Sequence, residues 1–151
     1  MPPCAEARPF TLSDRPGWRL LTLCGLYFAQ GLPYGFMFIT LAAVLAGEGR
    51  SPGQIGQLLA VATLPWAFKW IAGPIIDRFS VPSMGRRRPW ILLAQCGMIV
   101  SLILLATGPD PLTSDRWLQW SLFAVSVCSA LQDVAVDALA VDLLREEERG
   151  R

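Results

Sequence analysis

The sequence predicts an all-α membrane protein of four transmembrane helices, and three observations carry that prediction. Of 151 residues, 53% are hydrophobic and 17% charged, more apolar side chain than a water-soluble core uses. Four stretches, about 20–46, 55–76, 90–107 and 118–144, are long and apolar enough to cross a hydrocarbon layer of about 30 Å. Cationic residues alternate between dense and sparse along the chain. Arg8, Arg15 and Arg19 precede the first span, Arg78, Arg86, Arg87 and Arg88 lie between the second and third, and Arg145, Arg149 and Arg151 follow the fourth. Only Arg50 and Arg116 fall on the opposite side, and Lys69 lies within a span. The positive-inside bias then places both termini in the cytoplasm.

Composition narrows function as well. A net charge of +1 offers no bulk attraction for nucleic acid. Histidine is absent, which removes imidazole bases and the commonest zinc ligand, so proton chemistry falls to carboxylates. Cys24, Cys96 and Cys128 sit in apolar spans and Cys4 in the polar tail. Neither a disulfide framework nor a metal site is implied, and no cofactor is expected.

Residues 1–17 read as a solvated cytoplasmic tail, rich in proline and in both charge signs, and 18–151 as the helical unit. Span one carries Gln30-Gly31-Leu32-Pro33-Tyr34-Gly35. Pro33 removes a backbone donor and Gly31 and Gly35 form a small-xxx-small pair, so a break near mid-membrane and a close helix contact are predicted. Gln30 lies about 15 Å above Leu20 at the helical rise. At that depth it either faces a solute or bonds a neighbouring helix.

Span two opens with Ser51 as N-cap and Pro52 in the first helical position. Pro65 predicts a kink. Lys69, between Trp66, Phe68 and Trp70, lies about 12 Å above Asp77. The loop to span three holds Asp77, Arg78 and Arg86, and Asp142 closes span four on the same side, so Arg78 or Arg86 bridging to either aspartate would form a charged latch. Trp90 at the start of span three, and Trp117 and Trp120 at the start of span four, fit interfacial belts. Gly108 to Arg116 is a turn-rich connection containing Pro109, Asp110, Pro111, Ser114 and Asp115.

Span four holds two carboxylates, Asp133 and Asp137, one helical turn apart. Ser126, Ala130 and Ala140 extend the same face with small residues. Ionisable groups at such depth are costly and mark function. Asp137 lies about 12 Å and Asp133 about 18 Å above Arg145, so Lys69 can pair with either, reducing the burial cost of both. A carboxylate here could carry a proton, or the ion pair could simply hold the bundle. A magnesium-diphosphate transferase site built on Asp133, Asp137 and Asp142 is the enzyme-class alternative. Its spacing does not match and a second aspartate cluster is lacking, so no catalytic residue and no enzyme activity are expected. A non-transporting scaffold or truncated product is the remaining alternative.

Three segments together resemble the major facilitator superfamily, in its branch of AmpG-like muropeptide permeases and acetyl-CoA transporters. They are Phe28 to Gly35, Gly73-Pro74-Ile75-Ile76-Asp77-Arg78 leading to Gly85-Arg86-Arg87-Arg88-Pro89-Trp90, and Ser129 to Ala138 continuing to Gly150. The resemblance implies a secondary transporter, a proton symporter of small polar or anionic solutes such as muropeptides, in the bacterial inner membrane. It implies that Gln30, Tyr34, Asp133 and Asp137 are within reach of solute or proton, and Lys69, by its pairing, could set where the proton is held. It assigns the conformational ion-pair loop to Gly73, Asp77, Arg78 and Arg86, with Gly73 allowing close helix packing, and Asp142 joins them by its place at the same end of span four. The insert from Phe79 to Met84 departs from the general superfamily signature and is like the AmpG-like branch. The partners expected are the bilayer, the solute, protons and the remaining C-terminal helices of the transporter, since the sequence ends before a fifth helix; alone, it is not expected to transport.

Overall fold

The computed structural model describes residues 15–110 and 113–144. The tail 1–14, Pro111, Leu112 and the charged run 145–151 lie outside the described residues, and with them Cys4, Arg8, Arg145, Arg149 and Arg151. Four helices are long and apolar enough to cross a membrane: α1 (Pro16–Gly47), α2 (Pro52–Arg78), α3 (Arg88–Thr107) and α4 (Asp115–Leu143). The predicted all-α, four-helix class is therefore present, with no strand among the described residues.

α1 begins at Pro16, in the first turn, where a missing N–H costs nothing. The helix thus starts ahead of the predicted Leu20, and Arg19, placed just before the first span, is a helical residue only 2% exposed. The break near Pro33 takes the form of a wider turn: α-helix runs to Gly35, π-helix from Phe36 to Leu41, and α-helix resumes to Gly47. Proline inside a helix removes a rung of the ladder and crowds the carbonyl four residues back, here that of Ala29, so its direct effect falls on the turn before the π segment.

At the start of α2, Gln54 N–H donates to Ser51 Oγ and Gln54 Oε1 accepts from Ser51 N–H at 2.9 Å, a reciprocal capping box. The kink expected at Pro65 lies elsewhere. α-Helix continues through Pro65 to Ala67, and a 3₁₀ turn at Lys69–Ile71 interrupts it before Ala72–Arg78. Pro74 explains the location: its ring crowds the Trp70 carbonyl and it has no N–H to bond it, so the turn before it tightens.

α4 is the hub, in contact with α3, α2 and α1 in decreasing extent. Half of its apolar stretch is buried, against 11% of the corresponding stretch of α2. Close approach of α3 to α4 depends on Gly97, where a Cβ would lie 2.6 Å from Cys128 Sγ. The predicted packing glycines behave differently. A Cβ at Gly31, Gly35 or Gly73 would meet nothing within 4 Å, so no helix approaches closely there among the described residues. A small residue permits contact, but only a facing neighbour makes one.

Two apolar clusters occupy the two ends of the bundle. One joins Met37, Leu41 and Leu45 to Leu58, Ala62, Leu105, Leu118, Leu122 and Val125; the other joins Leu23 to Ile76, Ile91, Ala135 and Val136. Between them lies a polar layer containing Gln30, Ser126, Ser129, Gln132 and Asp133, all buried. The loop between α2 and α3 closes tightly, with Val81 and Gly85 exchanging backbone hydrogen bonds and Gly85 at φ +81°, a conformation glycine adopts without steric cost.

A polar cluster and cleft between helices one, two and four

The polar layer converges on Asp133. Gln30 Nε2 on α1 donates to Asp133 Oδ1 at 2.6 Å, and Lys69 Nζ on α2 donates to Asp133 Oδ2 at 2.8 Å. Both carboxylate oxygens are thus engaged from different helices. The side chain of Asp133 is 12% exposed and that of Lys69 43%, so the ammonium retains access that the carboxylate lacks. Straight-helix depths place Lys69 nearer the level of Asp137, yet it selects Asp133. The 3₁₀ turn beginning at Lys69 rises faster per residue, and a lysine stem spans the remaining offset.

Asp137, one turn further along α4 and exposed, accepts a hydrogen bond from the Tyr27 hydroxyl at 2.5 Å. Tyr27 escaped the sequence reading, although it lies three residues before Gln30 and seven before Tyr34, on one face of α1. Gln132, beside Asp133 and fully buried, donates from Nε2 to the Leu26 carbonyl at 3.3 Å and ties the same two helices.

Next to these groups opens a cleft of about 420 Å³, lined by Tyr27, Gln30, Gly31, Tyr34, Thr63 and Trp66. Tyr34 is 47% exposed and packs edge-on against Trp66 with ring centroids 6.0 Å apart. Lys69 Nζ lies 5.5 Å from the Trp66 ring centroid, a cation–π contact. Two buried polar atoms of lining residues have no hydrogen-bond partner among the described residues, the acceptor Gln30 Oε1 and the donor Trp66 Nε1. Buried polar groups are usually satisfied, and both of these atoms lie beneath the cleft surface, where a side-chain rotation would be needed to present them to the cleft.

Asp133, Asp137 and Asp142 of α4 do not converge. Asp133 faces Lys69 and Gln30, Asp137 faces Tyr27, and Asp142 accepts from Arg87 Nε at 3.0 Å. Arg87 also pairs with Asp77, so the bridge expected from Arg78 or Arg86 to these aspartates is made by Arg87 instead. Arg78 and Arg86 have no ion-pair partner among the described residues. Three consecutive arginines read alike in sequence, and the turn at Gly85 decides which side chain points between α2 and α4. Burial opposes the charge on Arg87, and hydrogen bonds to Asp142 and Asp77 outweigh it, raising Arg87 above its ordinary value. At the opposite end Arg50 pairs with Asp115, joining the α1–α2 turn to the start of α4.

Comparison with known proteins places this geometry in a family. The chain is 34% identical over 137 residues to the anhydromuropeptide permease of Escherichia coli K12, covering 91% of the chain and 27% of the permease. It is 30% identical over 138 residues to a folate-biopterin transporter of Synechocystis, covering 90% of the chain and 27% of that protein. The chain therefore spans about a quarter of the length of these curated relatives. No solved structure matches it. The family model described as acetyl-coenzyme A transporter 1 matches residues 19–110, from the buried Arg19 through Gln30, Lys69, Asp77 and Arg87 to the end of α3, and the chain belongs to that family.

Proposed function

We propose that these helices form part of a secondary membrane transporter, a proton-coupled permease that moves a small polar solute. The observation that carries this reading is the Gln30–Asp133–Lys69 cluster, held between two apolar ends and bordered by a cleft with an unmatched donor and acceptor beneath its surface. Ionisable groups at mid-membrane mark solute or proton pathways. The relatives named as permease and transporter support the same reading.

In this proposal the chain supplies helices one to four of a longer transporter, with both termini cytoplasmic in a bacterial inner membrane, where the loop carrying Arg86 to Arg88 also faces. Gln30, Tyr34 and Trp66 contact the solute, and Asp133 or Asp137 holds the proton. Lys69 offsets one of the two carboxylates, leaving one net negative charge beside the cleft. The cleft is thus suited to an uncharged polar portion of a muropeptide-like or coenzyme-linked solute, an anionic portion being met by helices beyond these four. The Arg87 latch biases the exchange between inward-open and outward-open states, and no chemistry is performed on the solute.

The test is proton-driven uptake by the intact transporter in vesicles. Asp133→Asn and Asp137→Asn are each expected to lower uptake about tenfold or more, equivalent to about 1.4 kcal/mol. Undiminished proton dependence in both variants overturns the coupling.

A further inference from the structure

We infer that the two membrane carboxylates have separate tasks: Asp137, with Tyr27, is the site that takes up and releases the proton, while Asp133 stays ionised as the fixed counter-ion of Lys69. This rests on the proton-coupled reading and deepens it. The argument is one of partners. Asp133 has both oxygens occupied by donors, one of them cationic, and its side chain is 12% exposed. Protonating it would remove the carboxylate that bonds Lys69 directly and displace one of its two donors, costs that fall together on a buried pair.

Asp137 carries neither cost. It is exposed, and its one hydrogen-bond partner among the described residues is a neutral phenol at 2.5 Å. The charged and titratable groups around it are Tyr27 from α1, Lys69 from α2 and Asp133 on its own helix, while α3 carries Arg88 at its start and the exposed Cys96. Lys69, Asp133 and Asp137 sum to one negative charge, which a proton on Asp137 cancels. The exchange is proton transfer alone: an O–H bond forms on the Asp137 carboxylate as one in hydronium breaks, releasing water. Tyr27 can follow the change because a phenol both donates and accepts. It donates to the carboxylate, and its oxygen can accept from the carboxylic acid. The α1–α4 contact therefore persists through the cycle while its proton reverses direction, which makes Tyr27 a positioning residue.

Infrared difference spectra of the whole chain in lipid vesicles, recorded on lowering the pH, test the assignment. The expected result is a protonated-carboxyl band that Asp137→Asn removes, Asp137→Glu restores at a displaced frequency, and Tyr27→Phe shifts in frequency by deleting its hydrogen-bond partner. The charge-neutral pair Lys69→Gln with Asp133→Asn should leave the band in place. Survival of the whole band in Asp137→Asn, or its loss in the Lys69/Asp133 pair, overturns the assignment. Circular dichroism of each variant confirms that helix content is kept. Uptake by the intact transporter that ignores a proton gradient would sink the coupling instead, while leaving the infrared assignment standing, so the two failures are distinguishable.

Discussion

Asp133 shows how one side chain can organise three helices. Its Oδ1 and Oδ2 receive Gln30 and Lys69, so deleting either partner leaves polar groups stranded in an apolar setting. Lys69→Gln and Asp133→Asn are each expected to destabilise the bundle by about 1.5–3 kcal/mol, the worth of a hydrogen bond to a charged group. Lys69 should fall at the lower end because its ammonium is partly exposed. The double variant should lose less than the sum, since neither residue then strands the other. Unfolding in mixed micelles measures all three, and strict additivity would show that the pair is not coupled. Sequence alone marked Gln30, Lys69, Asp133 and Asp137 as costly at their depth. It could not choose between Asp133 and Asp137 for Lys69, because that choice depends on helix tilt and on the 3₁₀ turn at Lys69–Ile71.

At the scale of the element, local chemistry was read correctly where the partner is a sequence neighbour. Ser51 caps α2 as expected, and Ser51→Ala should cost about 1 kcal/mol of stability in the same unfolding measurement. Where the partner belongs to another helix, the local signal misleads. Gly31, Gly35 and Gly73 meet no neighbour among the described residues, whereas Gly97, in no motif, is a glycine against which Cys128 packs. Gly97→Ala should force α3 from α4 and cost about 1–3 kcal/mol. Adding Cys128→Ala removes the colliding sulfur and should recover most of the loss. Failure of that rescue would mean that the backbone of α4, rather than Sγ, sets the separation. The break in α2 teaches the same lesson within one helix: two prolines were available, and Pro74, next to the tightened turn, governs it more than Pro65.

For the whole molecule, α4 is the axis on which the other helices are held at three levels. Arg50–Asp115 ties one end, the Asp133 cluster the middle, and Arg87 with Asp77 and Asp142 the other end. The terminal pairs involve half-exposed aspartates, so each contributes about 0.2–1 kcal/mol and weakens with salt. Arg87→Gln should widen the distance between spin labels at Phe79 and Leu143, and Arg86→Gln should leave it unchanged. The reverse outcome would return the latch to Arg86. High salt should reproduce part of the Arg87→Gln effect.

Apolar run length and charge placement were enough to determine four membrane helices, because the cost of exposing a polar backbone to hydrocarbon leaves the chain few alternatives. Prolines and caps marked where helices start or weaken. Tertiary structure alone decided which carboxylate takes the lysine, which arginine closes the latch, that Tyr27 meets Asp137, and that Trp66 and Gln30 border one cleft. Those outcomes turn on ångström-scale distances between helices distant in sequence, and the strength of a hydrogen bond or ion pair changes steeply over that range.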